Sequence, residues 1–329
     1  MWEGMKIIRV FGVGSGEALF AKRASPVTLQ IALRSYNGFS MNWFFIALSC
    51  AFLTACCDAT SKRIMQEHDE WVTGTIILGL ASLILLPVFL SLDLKPVSFE
   101  LVALMAIVLP LEILGYYLFL SAIRMGALSL TVPLLAFTPV LTILTSALLL
   151  GESISWGGGF GIGLVTLGAY VLNADLITLN LLAPIKALFS NPGSRRMFFV
   201  AVLWSVTSAL GKKGVLIYDP IPFGFILLFG DLVIFALVCL FRFRTRGVRI
   251  NLRTNMQGLF LLGGVLMAGA EITHVISLSM APVAYMISVK RLSLVFGVIL
   301  GRLLFGERNI RYRLMGASVM VAGVFLIYG

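Results

Sequence analysis

Ten apolar stretches, each close to the roughly 20 residues a helix needs to cross a bilayer, fill almost all of the chain beyond residue 41. They lie at about 42–63, 72–91, 101–122, 127–149, 156–173, 197–216, 221–241, 257–279, 283–305 and 312–328. Lipid offers backbone polar groups no water, so spans of this length must close their hydrogen bonds internally as helices. The expected fold class is therefore all-α integral membrane, with ten transmembrane helices. The chain is 59% hydrophobic and 12% charged, about half the charged fraction of a soluble domain. Its formal net charge of +10 does not imply a nucleic-acid partner. The basic residues gather in short connections, where they orient a membrane protein. The bilayer and a small-molecule substrate are the expected partners.

Cys50, Cys56, Cys57 and Cys239 all fall in apolar stretches and read as small packing residues. His68 and His274 are the two histidines; no metal-ligand spacing exists, and no cofactor is expected. His68, within QEHDEW, reads as a solvated residue of a connection. Residues 1–41 hold no apolar run long enough to span and are basic, with Lys6, Arg9, Lys22, Arg23 and Arg34. They read as a disordered tail, or as residues upstream of a true start at Met41.

The body divides in two. The connection 174–196, with Pro184, Asn191-Pro192-Gly193 and Arg195-Arg196, reads as a linker between 42–173 and 197–329. An offset of 155 places Leu148-Leu149-Leu150-Gly151-Glu152 on Leu303-Leu304-Phe305-Gly306-Glu307, Gly161 on Gly316, and Gly168 on Gly323. Earlier in the halves an offset of 150 places Lys62-Arg63 on Lys212-Lys213. Each unit carries five helices, an odd number, so the second must insert upside down. The expected architecture is two inverted five-helix repeats with a site near the midplane between them.

The repeat acts as an internal control. Residues present in both copies, such as Glu152 and Glu307, read as scaffold; those in one copy are candidates for function. Lys290 and Arg291 interrupt the apolar run 283–305, and Lys290 falls about 12 Å past Pro282 in a hydrocarbon core about 30 Å thick. A charge at that depth costs about 2.5–3.5 kcal/mol on an insertion scale. At the offset of 155 the bases correspond to Leu135 and Ala136. Glu271 corresponds to Tyr116, Glu112 to Met267 and Asp231 to Ala81. Glu271 and His274 lie one turn apart. The candidate substrate-binding set is therefore Lys290, Arg291, Glu271, Glu112, His274 and Tyr116. Glu271, Glu112 and Asp231 are candidates for proton coupling. The bases could instead neutralise these acids internally. Gly157, Gly159, Gly161, Gly163, Gly297 and Gly301 are expected to serve close helix packing.

The segments AIRMGALSLTVPLLAFTPVLTILTSALLLGE (122–152) and APVAYMISVKRLSLVFGVILGRLLFGE (281–307), each followed by a glycine-bearing helix, resemble the drug/metabolite transporter superfamily of EamA type. The resemblance covers about 42–173 and 197–328. It implies a multi-pass permease or exporter working by alternating access, with no catalytic residues, in a bacterial inner (plasma) membrane. SVKRLS (288–293) also resembles the Lys-Arg pair of the sugar-phosphate translocator branch. This implies that Lys290 and Arg291 grip an anionic group. That branch adds a Lys in its fourth helix, whereas none occurs between Ala127 and Leu150 here. A carboxylate or zwitterion is thus as consistent as a phosphate. Two other readings remain: a proton-coupled exporter of cationic or amphipathic compounds, and, remotely, an intramembrane aspartyl protease built on Asp219 and Asp231.

Overall fold

The computed structural model describes residues 42–125, 132–173, 186, 190–246, 256–305 and 310–328. The expected basic tail and most of the expected linker lie outside them. The described chain is helical, without strands. In order the helices are α1 (Asn42–Ile64), α2 (Glu70–Leu90), α3 (Phe99–Met125), a 3₁₀ turn (Val132–Phe137), α4 (Thr138–Leu150) and α5 (Trp156–Asn173). The second half adds α6 (Pro192–Tyr218), α7 (Pro220–Arg246), α8 (Gln257–Met280), a broken helix α9a (Val283–Lys290) and α9b (Ser293–Phe305), and α10 (Ile310–Tyr328). Seven described spans are long and apolar enough to cross a membrane, and three shorter apolar helices complete the ten.

Local chemistry sets several of these boundaries. Asp69 caps α2, its Oδ1 accepting from the Trp71 N–H at 2.9 Å. Its Oδ2 meets Arg242 at 3.2 Å, tying the start of α2 to the end of α7. Asn191 caps α6 by accepting from the Gly193 N–H at 2.8 Å, with Pro192 as the first helical residue. The helix therefore begins inside the stretch expected to be linker. Proline needs no N–H partner at that position, and its ring presets the helical φ. Gly151 ends α4 in the left-handed region at φ 69°, where a side chain would be strained.

The ten spans form two five-helix halves, α1–α5 and α6–α10, related as inverted repeats. Contacts follow that relation. Helix α1 packs on α8 and α9b, while its counterpart α6 packs on α3 and α4. The self-related pairs α2–α7 and α5–α10 also pack together.

The α5–α10 pair is the closest. A Cβ at Gly161 would lie 2.6 Å from the Gly323 carbonyl oxygen, and one at Gly168 would lie 2.6 Å from that of Gly316. The residues that match in sequence as 161 with 316 and 168 with 323 are thus crossed in space, as an antiparallel pair about a two-fold axis requires. Glycine is needed there because backbone meets backbone. Four of the expected packing glycines behave differently: a Cβ at Gly157, Gly159, Gly163 or Gly297 would meet nothing within 4 Å. Those positions face open space, so close packing does not explain them.

The fourth span of each half is interrupted at one repeat position. In the first half the 3₁₀ turn ends at Phe137 and α4 starts at Thr138. In the second, α9a ends at Lys290 and α9b starts at Ser293, and an offset of 155 takes 138 to 293. The sequence suggested a continuous helix over 283–305. Instead, the Arg291 N–H is shared between Ile287 O (3.1 Å) and Ser288 O (3.2 Å), Leu292 N donates to Val289 O (2.9 Å) and Leu294 N to Arg291 O (3.0 Å). This i→i−3 pattern tightens the chain by one turn of 3₁₀ helix.

Candidate functional site

The interruption places both bases at a helix break in the interior of a span. Lys290 and Arg291 are half-buried. The Lys290 Nζ lies 3.3 Å from Nδ1 of His274 on α8. A lysine ammonium has only donors, so Nδ1 accepts, and the neutral ring carries its proton on Nε2. Glu271, also on α8, and Glu112, on α3, both lie within electrostatic reach of Lys290. Glu112 also has the Thr207 hydroxyl of α6 beside it. Asp231 of α7 has Glu112 and Glu271 as its charged neighbours. Five of the six substrate-binding candidates, together with Asp231, thus converge from α3, α7, α8 and the break after α9a.

Three buried polar atoms in this cluster have no hydrogen-bond partner: Asp231 Oδ1, Glu271 Oε1 and Arg291 Nε. Buried polar groups are almost always satisfied, by protein, water, proton or ligand. Orphans of opposite sign thus occur among the side chains of α7, α8 and the α9 break.

Tyr116 is placed differently. Its ring packs against Trp71 at 5.6 Å and Phe235 at 4.7 Å, one turn along α3 from Glu112. It belongs to an aromatic wall beside the charges. His68 departs from the solvated reading: it is half-buried, edge-on to Phe260 with ring centroids 5.2 Å apart. Asp219 stands at the α6–α7 turn with φ 68° and pairs with Lys95 at 2.5 Å. Asp231 lies twelve residues further along, about 18 Å up the helix, too far for two carboxyls to share one reaction centre.

Sequence reasoning passed over Asp58. It sits on α1, is exposed, and has Lys290 and Arg291 as its charged neighbours. The charged neighbour of Arg291 is in turn Asp58. The signal was available, since Asp58 is an acid inside an apolar run, and an offset of 150 pairs it with Ser208.

A second buried charge serves structure. Lys212, 3% exposed, donates from Nζ to Leu278 O at 2.6 Å and Ala281 O at 2.8 Å. These carbonyls close the end of α8. Glu152, in the connection after α4, accepts from the Val283 N–H at 2.9 Å and so caps α9a. Burial pushes its carboxyl up from the ordinary range, against the opposing pull of Lys212, the Val283 N–H and Ser146. Ser155 of the same connection bonds the Tyr285 hydroxyl at 3.1 Å. One end of the first half thereby locks onto the α8–α9a elbow of the second.

Comparison with known proteins agrees with this architecture. A solved structure, described only as a crystal structure of a protein, superposes with a TM-score of 0.67 at 14% identity, over 87% of this chain and 95% of its own. At that identity the likeness speaks for the fold. No curated protein matches the chain. The profile of the EamA-like transporter family matches residues 41–174 and 194–329, one copy for each half. Two matched copies laid out as inverted five-helix units place this integral, multi-pass membrane protein in the EamA-like transporter family, a family of small-molecule transporters.

Proposed function

We propose that this protein moves a small organic metabolite carrying at least one negative group, an anion or a zwitterion, by alternating access across a bacterial inner (plasma) membrane. Lys290 and Arg291 hold the negative group. Arginine offers a planar fork suited to a carboxylate or phosphate, and lysine a point charge. Glu271 and Glu112 hold an amine on the solute, pair with Lys290 when the site is empty, or carry a proton. His274 orients the lysine, and Tyr116 contributes to the apolar wall. The repeats are 42–173 and 192–329, joined by the connection 174–191, the second starting earlier than expected because α6 begins at Pro192, and no residue is assigned a catalytic role. The observation that carries this reading is the pair of bases at a mid-span helix break, present in one repeat only and associated with unsatisfied polar atoms of both signs.

Loss of a charge-assisted contact costs about 1.5–3 kcal/mol, roughly 10- to 150-fold in affinity. Lys290→Ala and Arg291→Ala should each weaken uptake of an anionic solute by that factor while the protein still accumulates in the membrane. The measurement is uptake into proteoliposomes of a panel of amino acids, carboxylates, sugar phosphates and lipophilic cations, with and without a pH gradient.

One observation favours a second reading. The cluster holds four acids (Asp58, Glu112, Asp231 and Glu271) against two bases. That excess suits a proton-coupled exporter of cations, with Asp231, Glu112 or Glu271 as the proton carrier. Transport of cations alone, unaffected by Arg291→Ala, would establish it in place of the first.

A further inference from the structure

Among the described residues, Asp58 is the one acid that neighbours both bases; the rest of the cluster divides between them unevenly. Lys290 has Glu271, Glu112 and His274 around it. Arg291 has Asp58. Direct ion pairs among the described residues join Lys95 to Asp219, Lys213 to Glu100 and Arg242 to Asp69; Asp58 and Arg291 lie within electrostatic reach without such contact. The two sit on different helices that pack together, α1 against α9a and α9b. Asp58 is exposed while Arg291 Nε is buried and unpartnered. An exposed carboxylate is therefore the charged neighbour of a guanidinium that has an unfilled donor.

An anionic group entering between them would take the open donor of Arg291 and be repelled by Asp58. A carrier of this kind crosses the membrane in two forms, loaded and empty. The solute neutralises Arg291 in the first; something resident must do so in the second, because an uncompensated charge at the midplane opposes closure.

We propose that Asp58 is the resident counter-ion of Arg291, closing on it in the empty carrier and yielding it to the solute in the loaded one. Asp58 thereby sets whether the protein can return empty or only exchange one solute for another. This rests on Lys290 and Arg291 forming the anion site. The two half-cycles respond in opposite senses to its removal. In Asp58→Asn the solute no longer competes with a resident carboxylate, so half-saturation falls by about three- to tenfold. The empty carrier keeps an uncompensated guanidinium, so net flux into solute-free vesicles slows by about tenfold or more, while exchange against preloaded solute persists.

Two measurements test this. The first is a double-mutant cycle on thermal unfolding of the purified protein with Asp58→Asn, Arg291→Gln and the double variant. It holds whichever solute is carried. The double variant should regain part of the unfolding temperature lost in Asp58→Asn; strict additivity would overturn the pairing. The second uses labelled L-glutamate, succinate and glycerol phosphate in proteoliposomes, comparing net uptake with exchange. Equal loss of both fluxes in Asp58→Asn, or weaker binding of L-glutamate, would overturn the counter-ion role, the latter by showing that Asp58 holds the solute's amine. Unchanged transport of all three in Arg291→Gln would instead remove the anion site on which the inference rests.

Discussion

Lys212 and Lys290 are both lysines in the interior of spans, yet the surroundings give them opposite roles. The Lys212 ammonium is committed: two carbonyls accept from it and Glu152 stands beside it. Lys212→Met would leave those two carbonyls without their donor and Glu152 without its neighbouring cation, though the carboxylate keeps the Val283 N–H. Breaking a buried charge pair from one side costs about 3–5 kcal/mol, and Lys212→Met should lower the thermal unfolding temperature accordingly, with Lys212→Arg losing less. A loss below about 1 kcal/mol would mean the joint is not structural. The repeat logic anticipated this division, because Lys212 has a counterpart in Lys62, whereas Lys290 corresponds to Leu135. Applied evenly, the same logic would have found Asp58. What no sequence rule could supply is which acid serves which base, since that depends on how α1, α3, α7 and α8 surround the break.

At the scale of elements, spans were legible because lipid demands continuous apolar runs of fixed length, and their ends because caps such as Asp69 and Gly151 follow backbone rules. The break at Lys290–Ser293 was not legible: no glycine or proline lies there, and hydropathy is blind to a change from i→i−4 to i→i−3 bonding. Glycines were legible only as a class. Gly161 and Gly168 face backbone at 2.6 Å, whereas Gly157, Gly159 and Gly163 face nothing within 4 Å. Gly168→Val should therefore cost about 3 kcal/mol or more, at or beyond the upper end of overpacking. Gly159→Ala should stay within about 0.5 kcal/mol or gain slightly from helix propensity. Thermal unfolding of the two variants side by side checks this, and equal effects would contradict the close crossing of α5 and α10.

For the whole molecule, ten spans put both ends of the body on one side, and the connections sort by charge. The side opposite the ends receives, among the described residues, Lys62, Arg63, Arg195, Arg196, Arg242, Arg244 and Arg246. The side shared with the ends has Lys95 opposed by Asp93, Glu100 and Asp219, and carries the Glu152–Lys212 joint. Basic residues in short connections stay cytoplasmic. The body alone therefore orients the exposed end of α7 inward and the locked α8–α9a elbow outward. The basic residues before Met41 argue the reverse, but a charge bias counted over many short connections near span ends outweighs one stretch at a single end. Thr245 is exposed near the end of α7, which makes it the position to probe. Thr245→Cys, treated in intact cells with a membrane-impermeant maleimide, should stay unlabelled and react once the membrane is permeabilised. Labelling in intact cells would invert the molecule, putting both ends of the body in the cytoplasm and the Glu152–Lys212 joint on the inner face.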